Sequence, residues 1–383
     1  MMRGNPLPQL KPNGLTVVSL FSGAGGLMLG FKRAGFQILV STDIDPLSQE
    51  IHEANFPDVK FILRDISSFH GRELLGATGL ERGKVDIVIG GPPCQGFSMA
   101  GNRVVEDPRN ALINHFVRIV GEISPRTFLM ENVSGLAMAH SGAAAGALLE
   151  KFRFLGYSIN ARILCAADYG VPQIRRRLFL LGSKGNRILA FPPQDHFPRP
   201  NVGQRPYVTV GETIMDLARE NAAAIPDHIP LRHSHRVIER YRRIPEGGRL
   251  PQRLPRRIAR SGFGNTYKRL HRLRPSLTLV PGNNAFPIHP TLDRSLTPRE
   301  AARLQTFPDS FVFAGSRREQ CIQVGNAVPP LLSFKIAKSI CMQLGGLQYL
   351  PRITDFSEHP QFHAPIVVAE GLSLPHPFTC VDV

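Results

Sequence analysis

Cys94 stands in the segment Gly90-Gly91-Pro92-Pro93-Cys94-Gln95-Gly96-Phe97-Ser98, directly after an apolar run at 85–89. Two prolines stiffen the approach to the thiol, and the flanking glycines let backbone or substrate come close. A lone cysteine is most often a buried apolar residue, but such residues lie in apolar runs and not between Pro-Pro and Gln-Gly. The setting therefore favours a nucleophile. A second reactive group, Glu131 of Glu131-Asn132-Val133, follows the apolar run 127–130. A carboxyl delivered by an apolar strand suits a general acid of raised pKa or an anchor for a ring nitrogen; the plainer reading is a helix cap. In Gln173-Ile174-Arg175-Arg176-Arg177 a strand period of two sends Arg175 and Arg177 to one face, where two guanidinium groups can converge on one site. A solvated edge strand is the alternative there.

A different chemistry is written nearer the amino terminus. The run 16–20 leads into Phe21-Ser22-Gly23-Ala24-Gly25-Gly26 and then a helix-like stretch. Glycines at a strand-to-helix turn let a ligand approach the backbone, and the helix start offers free N–H groups. The dinucleotide fingerprint G-x-G-x-x-G is not met, because Met28 occupies its third glycine position counted from Gly23. Asp43, twenty residues on, closes a second strand where a carboxylate can accept ribose hydroxyls, and Asp65-Ile66 closes a third, where an adenine amine could be received. Each acid alone could be a helix cap. Together they describe a nucleoside site without a diphosphate, which S-adenosylmethionine fits.

These residues need a scaffold that brings successive strand ends to one edge. Apolar runs at 16–20, 37–42, 60–63, 85–89, 127–130, 158–164 and 177–181 alternate with helix-like stretches, predicting an α/β fold with a doubly wound, mostly parallel sheet. After about residue 191 Pro and Arg become frequent, and the chain is divided into a catalytic domain (1–190), a smaller second domain with a connecting helix (191–318), a segment returning to the first domain (319–345) and a tail (346–383). Thr297-Pro298-Arg299-Glu300 predicts a capping box opening a helix that Pro308 stops. The net charge is +16, and residues 228–275 hold 13 Arg and one Lys against Glu239 and Glu246. Charge so concentrated predicts a polyanionic partner, with Arg256, Arg257, Arg260, Lys268, Arg269 and Arg272 as candidate contacts. Five cysteines without C-x-x-C spacing argue against a disulfide framework and structural zinc. No apolar run has the length of a membrane span and no export signal opens the chain, so a cytoplasmic, nucleoid-associated protein is expected.

The blocks FSGAGG, GPPCQGFS, the DPRNAL stretch from Asp107, ENV, QIRRR, TPREAARLQTFP and QVGNAVP from Gln323 occur in this order between Phe21 and Pro329, with Asp43 and Asp65 at their places. In this the chain resembles the cytosine carbon-5 DNA methyltransferases. The resemblance implies a sheet domain and a smaller target-recognition domain lying between QIRRR and the TPRE helix. It implies catalysis by Cys94, Glu131, Arg175 and Arg177. The S-adenosylmethionine site would take in Phe21, Gly23, Ala24, Gly26, Asp43, Ile44, Asp65, Ile66, Pro93, Leu112, Asn326 and Val328, and Gln95 and Ser98 would lie against a flipped-out nucleotide. It further implies a monomer acting on double-stranded DNA, and leaves room for a cognate restriction endonuclease acting on the same site. The ribose acid is Asp43 where Glu is commoner, which leaves Asp45 as a substitute, and Ile44 stands where an aromatic often sits. A tRNA cytosine methyltransferase is the nearest rival, disfavoured by the missing Cys-Phe-Thr segment and by the Arg-rich insertion. A DNA-binding regulator with an inactive centre is opposed by the intact PPCQ, ENV and QIRRR elements.

Overall fold

Alternation along the apolar runs is resolved into the two faces of one sheet. Val17, Ile87, Ile89, Leu129, Phe179 and Leu181 pack into one core, while their neighbours Val18, Val88, Phe128, Met130, Leu178 and Leu180 pack into the other. Burial on both sides is why these strands read as continuous apolar stretches and not as alternating ones. The computed structural model describes residues 7–93, 111–138, 143–218, 225–251, 255, 267–281 and 286–345. Cys94, Gln95, Ser98, Asp107, Arg256, Arg257 and Arg260 lie outside them.

The elements run β1 (Thr16–Leu20), α1 (Gly26–Arg33), β2 (Gln37–Asp43), α2 (Pro46–Asn55), β3 (Lys60–Leu63), α3 (Gly71–Thr78), β4 (Ile87–Gly90), α4 (Ala111–Ile123), β5 (Thr127–Val133), α5 (Gly135–Met138), α6 (Ala143–Phe154), β6 (Tyr157–Cys165), β7 (Gln173–Ile174) and β8 (Arg176–Lys184). Then follow β9 (His196–Phe197), β10 (Arg205–Pro206), α7 (Val210–Ile214), α8 (His235–Arg242), β11 (Ser276–Leu277), α9 (Pro298–Leu304), α10 (Arg317–Asn326) and α11 (Pro330–Gln343). The sheet order is β3-β2-β1-β4-β5-β8-β6. The first five of these strands are parallel, and β8 and β6 join antiparallel. The α/β, mostly parallel architecture is as expected, with the antiparallel pair at one side. That pair corrects one boundary: β5 does not stop at Met130 but continues to Val133, because β8 pairs Glu131 with Phe179 and Val133 with Arg177.

No break in the core marks residue 190. Val210, Ile214, Leu270, Leu279, Phe286, Leu296 and the aromatic trio Phe307, Phe311 and Phe313 belong to the same cluster as α1 and α11. Among the described residues after 190, a small separate cluster, Tyr241, Ile244, Tyr267 and Ile288, forms a core of its own. β11 pairs with β7, so the segment after the Arg-rich stretch is stitched to the loop ahead of β8. α9 opens as its sequence predicts, with Thr297 accepting from Glu300 N and Glu300 accepting from Thr297 N. All seven of its residues are buried. Among the described residues no helix is long and apolar enough to cross a membrane, and no cluster has the makings of a metal site.

Candidate active site

The turn after β1 is built for close approach. Phe21, Gly23 and Gly25 all have positive φ, at 52°, 49° and 76°. A left-handed φ at Phe21, where a side chain resists it, is the kind of strain found at ligand sites. Gly26 is required for a second reason: a Cβ there would lie 2.3 Å from the carbonyl oxygen of Val328. The first helix turn and the QVGNAVP block thus approach closely, which brings Val328 to the turn across about 300 residues of chain. Asp43 at the end of β2 completes this group. Its Oδ2 accepts from Gly23 N at 2.7 Å, and its Oδ1 accepts from Ile44 N and Asp45 N at 2.8 and 3.1 Å. Burial raises the Asp43 pKa, and these N–H donors work against that rise. Asp45 serves as the N-cap of α2, its Oδ1 accepting from Leu47 N. Ile44 is 64% exposed, open for contact with a ligand.

Asp65 caps the short 3-10 turn Ile66–Ser68, its Oδ1 accepting from Ser67 N at 2.8 Å. The backbone N–H and the side chain of Ser67 both bond this carboxylate and hold its pKa below the usual carboxylate value. Phe21 and Leu112 pack at the margin of the same core cluster, from the turn and from the start of α4.

A second group lies at the carboxyl ends of β4 and β5. Glu131 is buried, and its Oε1 is 3.1 Å from Arg177 Nε. Burial raises its pKa, opposed first by Arg177 and then by Arg175. Gly91 has no Cβ for a reason visible here: one would come within 3.1 Å of Glu131 Oε2. Asn132, also buried, donates from Nδ2 to Pro92 O at 2.9 Å, tying the ENV strand to the chain two residues before Cys94. Arg175 is 1% exposed; it donates to Leu279 O at 3.2 Å and Asn326 O at 3.4 Å. Its buried Nε has no partner among the described residues, an orphan donor at a polar site. Burial and the neighbouring Arg177 lower its pKa, and Glu131 opposes them.

Sequence reasoning quoted the Gln-containing blocks but missed what their glutamines do. Gln173 and Gln305 are fully buried, and Gln173 Nε2 donates to Gln305 Oε1 at 2.9 Å. Gln173 Oε1 accepts from Leu279 N, and Gln305 Nε2 donates to Val324 O, so QIRRR, the TPRE helix and QVGNAVP are fastened to one another. A polar residue on an otherwise apolar helix face, as Gln305 is after Ala301 and Ala302, was the available signal. The basic segment needs a correction. Arg269 is 5% exposed and donates to the carbonyls of Tyr241, Ile244, His289 and Leu292 and to Asp293, so it is a strut of the small core and not a surface contact. Arg272 is exposed but paired with Glu246 through Nε at 3.0 Å. Lys268 is half-buried, and desolvation lowers its pKa, helped by Arg249 and Arg274.

Comparison with known proteins agrees with this geometry. Residues 15–342 match the model of the C-5 cytosine-specific DNA methylase family. The chain is 42% identical over 335 residues to the Type II methyltransferase M1.HphI of Haemophilus parahaemolyticus, covering 85% of this chain and 86% of that protein. It is 33% identical to M.XorII of Xanthomonas oryzae pv. oryzae, covering 85% and 84%. Among solved structures, a DNA modification methyltransferase encoded in an E. coli prophage superposes with a TM-score of 0.68 at 30% identity, over 87% of this chain and all of the other. The S. pombe Dnmt2 methyltransferase, at 17% identity and a TM-score of 0.59, shares the fold. With match and geometry in agreement over nearly the whole described chain, this protein belongs to the C-5 cytosine-specific DNA methylase family and is a DNA cytosine methyltransferase.

Proposed function

We propose that the chain methylates carbon 5 of a cytosine rotated out of duplex DNA, with S-adenosylmethionine as donor and Cys94 as nucleophile. The observation that carries this reading is a buried carboxyl, Glu131, held by Arg177 at 3.1 Å beside the Asn132 anchor of the loop leading to Cys94. Cytosine carbon 5 is a poor nucleophile until the ring is activated. The Cys94 thiolate adds to carbon 6 while the Glu131 carboxyl gives its proton to ring nitrogen 3, leaving an enamine nucleophilic at carbon 5. After methylation, a water molecule takes the carbon-5 proton as the Cys94–carbon 6 bond breaks, the thiolate leaves, and nitrogen 3 returns its proton to the Glu131 carboxylate. Arg177 fixes the Glu131 carboxyl, and the Arg175 Nε donor is left for the base. The positive field of the two guanidiniums favours thiolate over thiol.

The residues around the Phe21–Gly26 turn fit S-adenosylmethionine: positive-φ backbone for close approach, a further lone pair on Asp43 for a ribose hydroxyl, the exposed Asp65 carboxylate for an adenine amine, and Val328 across the turn. When bound, that group supplies an electrophilic methyl on sulfonium. Residues 191–318, with Arg256, Arg257 and Arg260, are assigned to target recognition, and rotation of the base is what carbon 6 attack from one face requires. The relatives' Type II designation supports a partner endonuclease acting on the same sequence. The test is an oligonucleotide carrying 5-fluorocytosine at the target. The native chain should form a denaturant-resistant conjugate at residue 94, and Cys94→Ala should bind duplex without forming it. Methyl transfer by Cys94→Ala would overturn the scheme.

A further inference from the structure

Arg175 is aimed by two main-chain carbonyls that lie far from it in the chain. Its Nη1 donates to Leu279 O at 3.2 Å and its Nη2 to Asn326 O at 3.4 Å, from segments 104 and 151 positions away. Because a guanidinium is planar, bonds through two of its nitrogens set its plane, and with it the direction of the buried Nε left for the base. Leu279 lies beyond the end of β11, and Asn326 is the last residue of α10, where helix carbonyls have no partner within the helix. Hydrogen bonds lead from both residues to one side chain. Gln305 donates from Nε2 to Val324 O at 2.7 Å and to Ala327 O at 3.3 Å, carbonyls that flank Asn326. Through Oε1 it accepts from Gln173 Nε2 at 2.9 Å, and Gln173 Oε1 accepts from Leu279 N at 2.9 Å. Apolar packing brings the same segments together, since Leu279 is fully buried and a Cβ on Gly325 would lie 2.6 Å from Pro281 N. Such packing is non-directional, whereas a hydrogen bond turns the peptide group it holds. Apolar side chains would fill this space without desolvating two amides; what the amides add is a fixed orientation.

We propose that Gln305 is a positioning residue for attack on the base: by holding Val324 and Ala327 directly, and Leu279 through Gln173, it sets the two carbonyls that aim Arg175. Fully buried, it touches no substrate itself. A small misplacement of the Arg175 Nε–H weakens its bond to the ring as the ring is activated, while the surfaces that bind duplex and S-adenosylmethionine stay in place. Gln305 therefore governs rate and not affinity. The inference rests on the reading that Arg175 Nε serves the base.

The experiment follows conjugate formation between the full chain and the 5-fluorocytosine duplex at saturating S-adenosylmethionine, recording the rate constant and the final amplitude separately. Gln305→Met, similar in volume and without the amide, should lower the rate constant about 10- to 100-fold at native amplitude, and change the affinities for duplex and S-adenosylhomocysteine by less than about twofold. Gln173→Met breaks the path to Leu279 and spares the bonds to Val324 and Ala327; it should slow the reaction by a smaller factor, and it serves if the first variant folds poorly. Arg175→Lys keeps the charge but has no Nε–H, and should be slow by itself. Adding Gln305→Met to it should slow it by less than about twofold further, because no guanidinium is left to aim. A native rate constant with lowered amplitude would mark Gln305 as merely structural, and full additive slowing in the double variant would show that it does not act through Arg175. Either result overturns the proposal, as does a loss confined to S-adenosylhomocysteine affinity. If Arg175→Lys is slow and neither glutamine variant is, the proposal fails alone; if Arg175→Lys reacts at the native rate, the reading of Arg175 fails with it.

Discussion

Two buried histidines should make this fold sensitive to mild acid. His52 is 1% exposed and His289 fully buried, and burial takes each pKa from 6.5 down to about 4. The unfolded chain binds protons at both rings below 6.5, while the folded chain does so only near 4. Stability contributed by the neutral rings is therefore complete above pH 6.5 and is lost as pH falls toward 4. At pH 5 nearly all of each ring is protonated when unfolded and about a tenth when folded, which costs about 2 kcal/mol per ring and about 4 together relative to pH 7.5. Asp43, Glu131 and Asp168, whose burial raises their pKa, shift stability the opposite way, so the informative quantity is a difference between proteins. Asn keeps the Nδ1 contacts, to Ser41 at 2.9 Å in one case and from Thr291 N and Leu292 N at 3.2 Å in the other. Urea denaturation at pH 7.5 and 5 should show the native chain losing about 4 kcal/mol more than the His52→Asn, His289→Asn double variant, with about 0.9 proton per ring taken up on unfolding at pH 5. Equal losses in the two proteins would refute the argument.

Glu131→Gln should bind duplex as the native chain does and lower turnover by about 10²- to 10⁴-fold, because the amide cannot deliver the proton to nitrogen 3; single-turnover methylation and gel retardation check both halves. Gly26→Ala forces a Cβ against the Val328 carbonyl at 2.3 Å, so Tm should fall by an amount corresponding to about 1–3 kcal/mol, and the affinity for S-adenosylmethionine should drop more than that for DNA. Arg269→Ala strands four backbone carbonyls and should cost about 3–5 kcal/mol, seen as lost solubility or Tm, without Lys rescuing it. Arg256→Ala should by contrast leave Tm alone and reduce by about 1 the slope of log affinity against log salt.

The residues of the candidate site were legible because their signals are local. Proline and glycine around Cys94, a carboxyl after an apolar strand, and acids at successive strand ends each declare a backbone conformation or a chemistry within a few residues. The capping box of α9 was readable for the same reason, since Thr297 and Glu300 satisfy each other one turn apart. The sheet followed from short apolar runs alternating with helix-like stretches, a short-range pattern as well.

What chain order could not decide was which charges face water. Arg269 and Arg272 are three residues apart in one basic run, yet the first is a buried strut and the second lies on the surface paired with Glu246. Gln173 and Gln305 meet across 132 positions, and Asp45 becomes the cap of a helix that only the start of α2 creates. Long-range partners set desolvation and hydrogen bonding, so the same side chain is a contact, a cap or a brace according to what folds against it. Residue type and spacing determined the chemistry available to this protein; the tertiary structure decided where each charge is spent.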